Sequence, residues 1–316
     1  MTPNRRQLTG LLAATAGLAA AAPFDVARAQ VVTSDPVAPE TEGTDPSKVA
    51  TSRDASLRMV APVTINGHGP FLFLVDTGSN RSCISRKLAE RLGLPPGPPV
   101  SVHTVVKAQM RPTVMIDRLQ LGSRSQRRVK IPALDLVGSD DADGVLGVDW
   151  LKGQRLVLNF KGHELEIMAP VTESSHDGRI VVPARRRSGQ LTLIDADVGG
   201  SRISAMIDSG SELSLGNNAL RRMVTASGSV HADKFQRVYI TTVVGETFPG
   251  DLLYVPFMRL GGLNIGNVPV VFAETHVFEL WDLHKTPAII LGMDLLTQFN
   301  AVALDFGRST VRFDIA

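Results

Sequence analysis

An internal duplication limits most severely what this chain can become. "FLFLVDTGSN" at 71–80 and "SAMIDSGSEL" at 204–213 each run an apolar strand into an acid, a hydroxyl, a glycine and a serine. Around them, "APVTINGHGPFLFLVDTGSNRSCISRKLAERL" and "LIDADVGGSRISAMIDSGSELSLGNNALRRM" share one order: strand, Gly turn, strand, polar turn, apolar strand, short helix. Further along, "VHTVVKAQM" matches "YITTVVGETF" as one arm of a hairpin. Each half closes on two strands joined by a polar turn, LVLNF-KGH-ELEI and VALDF-GRS-TVRF. Only "SRKLAERL" and "NNALRRM" have helical spacing. The expectation is a mostly β protein of two equivalent lobes, each of domain size at about 110–130 residues and each with one short helix.

The flanks set the boundaries. Arg5 and Arg6 precede an Ala/Leu-rich run from Leu8 to Ala22, and Ala27-Arg28-Ala29 offers a cleavage site before Gln30. Residues 1–29 therefore read as a secretory signal peptide, too short in its apolar run for a membrane span. The paired arginines suit a twin-arginine signal, with an ordinary Sec signal as the alternative. Either implies export, and the periplasm is the expected location. Residues 30–56, rich in Pro, Ser, Thr, Asp and Glu, read as a flexible leader. Residues 57–170 form the first lobe, 171–179 a polar linker and 180–316 the second lobe.

The first 29 residues hold three of the 33 basic and one of the 31 acidic residues, so the remainder balances at zero net charge. Neither nucleic acid nor an anionic membrane surface is favoured as a partner. Cys83 is the only cysteine, which excludes an intramolecular disulfide. The seven histidines form no metal-spaced set, and "HELEI" at 163–167 lacks the second histidine of a zinc motif. No phosphate loop or nucleophile elbow is present. No cofactor and no metal are expected.

A carboxylate ending an apolar strand is costly unless paired or hydrogen-bonded. A pseudo-twofold arrangement of the lobes would bring Asp76 and Asp208 face to face. Two such carboxyls share a proton, so one can take a proton from an intervening water while the other polarises a carbonyl. Gly78 and Gly210 allow tight turns whose N–H groups approach the acids. Thr77 and Ser209 can donate across the lobe interface. Ser79 and Ser211 are expected to hydrogen-bond the outer carboxylate oxygens. Gly147 in "GVLGVD" and Gly292 in "IILGMD" would let a second strand pass close to each turn. Asp149 and Asp294 are expected to satisfy loop N–H groups, and Trp150, Trp281 and Cys83 to pack in the core.

D-[ST]-G-S followed later by apolar-apolar-Gly, twice in one chain, resembles the pepsin/retropepsin clan of aspartic proteases. The short helix after each turn and "LGMDLLTQFNAVALDF" resemble its retroviral-type branch, over roughly residues 57–316. The resemblance implies two pseudo-twofold-related, retropepsin-like closed-barrel lobes, with Asp76 and Asp208 as the catalytic pair and Thr77 and Ser209 as interlocking hydroxyls. It also implies hairpin flaps over an extended peptide, for which residues 102–112 and 238–249 are the candidates. Because both acids lie in one chain, an active monomer is implied. The expected function is an exported aspartic endopeptidase acting on protein or peptide substrates. A regulatory cut in a periplasmic protein, or in the periplasmic domain of a membrane protein, is expected, with degradation of damaged proteins left open. The alternative is a non-catalytic peptide-binding module on the same fold.

Overall fold

The computed structural model describes residues 40–315 apart from 43–45, 55–57, 137–141, 152, 177, 188, 194 and 227–234. The proposed signal, 1–29, lies outside the described residues, as does the leader to residue 39. The protein is mostly β, with 55% strand and 11% helix. Among the described residues, no helix is long and apolar enough to cross a membrane.

Alternating burial explains the strands. Met59–Ile65 turns its apolar residues to the interior, and the adjacent His68–Val75 ends in the fully buried run Phe73, Leu74 and Val75. In the first lobe, hydrogen bonding runs from Arg124–Leu134 through Cys83–Ser85, Gly144–Leu146, His68–Val75 and Met59–Ile65 to Ala108–Leu121. That last strand pairs back onto Arg124–Leu134, closing a barrel. The second lobe repeats the scheme with one change. Where Met59–Ile65 is continuous and pairs with both neighbours, the second lobe uses two short strands. Gln190–Leu193 pairs with Ser204–Ile207, and Ala196–Val198 pairs with Thr247–Leu260. The expected short helices are Arg86–Arg91, capped by the Ser85 side chain, and Asn218–Ala226; the second lobe adds His276–Leu280 and Met293–Leu296, so one helix per lobe is corrected there.

A six-stranded sheet joins the lobes. Its centre is the antiparallel pair Arg155–Asn159 and Ala301–Asp305, with Val157 opposite Ala303. Outward from it lie Glu164–Met168 and Ser47–Ala50 on one side, and Thr310–Asp314 and Arg179–Arg187 on the other. Leu156, Leu158, Leu165, Ile167, Val302, Leu304, Val311 and Phe313 belong to one core that continues into both lobes. Residues 35–316 accordingly form one compact unit.

The flexible leader is corrected, because its described residues form strands in both sheets. Glu40–Glu42 pairs with Arg124–Leu134, Ser47–Ala50 with Glu164–Met168, and Ser52–Arg53 with Met59–Ile65. Val49 is buried, and the Ser47 hydroxyl donates to Leu121 O at 3.4 Å. These strands are short and hold few apolar residues, and Ser47–Ala50 fills the place in the joining sheet that Arg179–Arg187 takes on the other side.

The sheet carries an ion cluster, buried at Arg155 and Asp305 and half-buried at Glu173 and Arg312. Arg155 lies 2.5 Å from Glu173 and 3.7 Å from Asp305, while Arg312 reaches Glu173 at 2.7 Å. Val171 N donates to Asp305 at 3.0 Å, so the connection between the lobes is tied to the sheet. Burial pushes Glu173 up, but hydrogen bonds from Arg155 and Arg312 outweigh it and leave the carboxyl below its ordinary value. A depressed carboxyl stabilises the fold above its unfolded pKa of about 4.3, and that contribution is lost as pH falls through the folded value. Glu173→Gln is therefore expected to lower unfolding free energy by about 1–3 kcal/mol at pH 7. The difference from the parent should shrink below pH 4, as urea denaturation at both pH values would measure.

Candidate active site

Each acid sits where a strand can be held from the side. Asp76 follows His68–Val75, and its N–H donates to Leu146 O at 3.0 Å. Asp208 follows Ser204–Ile207, and its N–H donates to Leu291 O at 3.0 Å. The donating and accepting strands are parallel neighbours in both lobes. This anchors the end of each apolar strand so that the next residue leaves the sheet at a fixed point.

The turns then face one another. Asp76 Oδ1 accepts from the N–H groups of Gly78 at 2.8 Å and Ser79 at 2.9 Å, and Asp208 Oδ1 accepts from Gly210 N at 2.9 Å. A Cβ on Gly78 would overlap the Asp208 carboxyl, and one on Gly210 would overlap the Asp76 carboxyl. Both glycines are thus required by the opposite lobe as well as by their own turns. The two carboxyls are brought close enough for each to act on the other's proton affinity. Burial first, and then the proximity of the second carboxyl, raise Asp76 well above the carboxylate range; burial also raises Asp208. The pair therefore holds one proton to higher pH than either acid alone would.

Four hydrogen bonds lock the turns across the lobe boundary. Thr77 Oγ1 donates to Ile207 O at 2.9 Å and accepts from Ser209 N at 3.0 Å. Ser209 Oγ donates to Val75 O at 2.7 Å and accepts from Thr77 N at 3.1 Å. Thr77 and Ser209 are buried, so every donor and acceptor in this exchange is removed from water.

A second layer repeats in both halves. Gly147 leaves no room for a side chain against the backbone of Ser79 and Arg81, and Gly292 none against that of Leu213 and Ser214. The Ser82 hydroxyl donates to Asp149 at 2.7 Å and accepts from Gly147 N at 3.0 Å; Ser214 does the same with Asp294 and Gly292 at the same two distances. Asp149 and Asp294 also accept from the Ser82 and Ser214 N–H groups, as expected of residues that satisfy loop donors.

The family match has the same two parts. The model described as aspartyl protease matches residues 61–150 and 194–295, one acid turn in each segment. The chain belongs to the aspartyl protease family. No curated protein matches it. Among solved structures, the crystal structure of basic 7S globulin from soybean is similar at a TM-score of 0.49 and 12% identity, over 87% of this chain and 95% of that one.

In this aspartyl protease the structure brings together Asp76, Thr77, Gly78, Asp208, Ser209 and Gly210, with Gly147 and Gly292 behind them. Ser79 and Ser211 differ from expectation. Their hydroxyls donate to Arg81 O and Leu213 O, each at 2.7 Å, rather than to the outer carboxylate oxygens. It is the Ser79 N–H that reaches Asp76. The bond to a carbonyl two residues on closes the loop locally.

Ser82 and Ser214 were not among the expected site residues, although each lies six positions after its acid and the repeat displays that offset. Gln190 was also missed. Its side-chain amide, buried, donates to Gly78 O at 3.0 Å and ties the second lobe to the first lobe's turn. Among the described residues, no group of His, Cys, Asp and Glu is placed to hold a metal.

Thr77→Val keeps the side-chain volume but leaves Ser209 N and Ile207 O without their partner. It is expected to destabilise the protein by about 1–3 kcal/mol. Thr77→Ser, which keeps the hydroxyl, should retain most of the stability in the same denaturant titration.

Proposed function

We propose that this aspartyl protease is an exported endopeptidase that hydrolyses peptide bonds in extended protein segments through Asp76 and Asp208. One observation carries the reading: each carboxyl is seated on the glycine of the opposite turn, so two acids from distant parts of the chain share one proton. The ionised member takes a proton from water as that water attacks the peptide carbonyl carbon. The protonated member gives its proton to the carbonyl oxygen, and a tetrahedral diol results. Collapse breaks the C–N bond, returns a proton to the carboxyl pair and gives the departing nitrogen its own. No cofactor enters this scheme.

Both acids come from one chain, which supports an active monomer. The paired arginines and the small-residue junction before Gln30 support export to the periplasm. The substrate we infer is an unfolded or extended segment of a periplasmic protein, or of the periplasmic domain of a membrane protein, cut for regulation.

Cleavage of heat-denatured casein by the purified chain tests the reading. Asp76→Asn and Asp208→Asn should each lose about 10²–10⁴-fold in rate. Activity in the parent should follow a bell-shaped pH profile, because the working state holds a single proton on the pair. Single variants that cut as fast as the parent would remove the acids from the mechanism. A parent that binds the unfolded chain without cutting it would instead mark a non-catalytic peptide-binding module.

A further inference from the structure

The two hairpins expected to be flaps each cross to the other lobe. The first, Pro96–His103 with Ala108–Leu121, turns at residues 104–107; the second, Gln236–Thr241 with Thr247–Leu260, turns at 242–246. Val105 packs on the second-lobe cluster that contains Met206, two residues before Asp208. Val243 and Val244 pack on the first-lobe cluster that contains Leu74, two residues before Asp76. Each turn thus places apolar side chains on a cluster of the other lobe that also includes a residue of the strand carrying that lobe's acid.

Polar contacts clasp this arrangement. Thr104 Oγ1 donates to the Glu246 carboxylate at 2.6 Å, and Lys107 lies 3.5 Å from the other oxygen of that carboxylate. Val277 N donates to Val105 O at 3.3 Å. Beside it, His103 Nδ1 and His276 Nε2 are 2.9 Å apart, with the rings nearly parallel at 5.2 Å. His103 ends a strand of the first lobe, and His276 opens the helix His276–Leu280 of the second. A clasp made of two imidazoles is unlike the rest, because its bond depends on the proton count.

We propose that the two hairpins form a latch that closes the cleft at neutral pH and opens when the His103–His276 pair takes up its second proton. This regulation rests on reading the cleft as a peptide-cutting site.

With both rings neutral, one N–H donates to the other nitrogen. With His276 charged, its Nε2–H still donates to His103 Nδ1, and the Glu279 carboxylate lies 3.6 Å from the other ring nitrogen. The second proton must go onto His103 Nδ1, the acceptor itself, and two cations cannot stay 2.9 Å apart. Burial, and then the charge of His276, hold His103 below its ordinary value while the latch is shut. A cation held below its ordinary pKa favours the closed form above about pH 6.5, and that preference is lost as pH falls. The charged groups around the pair are Glu279, on the His276 helix, and Lys107 and Glu246 in the adjoining clasp. Among the described residues, no carboxylate contacts His103.

Hydrogen exchange read by mass spectrometry on the full chain tests the latch without requiring turnover. After correction for intrinsic exchange, amides at 104–107 and 242–246 should exchange at least about ten-fold faster at pH 5.0 than at pH 7.5, one proton being worth ten-fold per pH unit. The joining sheet, at 155–168, should stay protected at both. His103→Phe keeps a stacked ring and removes the titration, and should reduce the response to less than about two-fold. His103→Asn should do the same if the Phe variant fails to fold by near-ultraviolet circular dichroism. Equal exchange of the parent at both pH values, or a full response in a folded His103 variant, would overturn the proposal. Loss of the proteolytic reading would show instead as Asp76→Asn and Asp208→Asn variants that still cut casein, with these exchange rates unaffected.

Discussion

Everything at the cleft depends on the reciprocal exchange between Thr77 and Ser209. Each hydroxyl donates to a strand carbonyl of the other lobe and accepts a backbone N–H from it. Buried groups of this kind are costly to leave unpaired, about 1–3 kcal/mol each, so the four bonds persist only together. They fix the distance between the two turns, and that distance makes a coupled pair of acids out of Asp76 and Asp208. With the turns held well apart, the same carboxyls would titrate separately.

The rest of the fold holds those two turns in opposition. The six-stranded sheet sets the pseudo-twofold relation by pairing the end hairpins of the lobes, Val157 against Ala303. The layer of Ser82 and Ser214 stiffens the loop that follows each acid, using the Asp149 carboxylate in one half and the Asp294 carboxylate in the other. The symmetry is nevertheless incomplete. Thr192 pairs opposite Met206, two residues before Asp208, and Val60 opposite Leu74, two before Asp76. By that register Gln190 and Arg58 are equivalent, yet one is a neutral amide on Gly78 O and the other a cation held by Asp54 at 2.6 Å. The two equivalent positions therefore hold different polar groups, a neutral amide in one lobe and an ion pair in the other.

What was legible in the sequence followed from repetition. One Asp-Thr-Gly is an ordinary strand ending, but two in register imply a shared environment, and so the facing acids, the interlocking hydroxyls and the close-packed Gly147 and Gly292 could be anticipated. The mostly β architecture followed from period-2 burial in strands such as Met59–Ile65. The strand at Ser47–Ala50 was hidden, because four residues with one large apolar side chain carry almost no pattern. The Ser79 and Ser211 hydroxyls were misdirected because composition does not rank competing acceptors, and Asp76 Oδ1 was already filled by two N–H groups. Contacts between distant segments, Gln190 to Gly78 and His103 to His276, have no local signal at all; only folding brings them together.

The most direct measurement is a carbon-13 NMR titration of the Asp76 and Asp208 carboxyls in the full chain. Two coupled steps are predicted, with both resonances responding to each step and the upper one above the usual carboxylate range. Two independent titrations, each at an ordinary aspartate value, would contradict a shared proton and with it the chemistry assigned to this cleft.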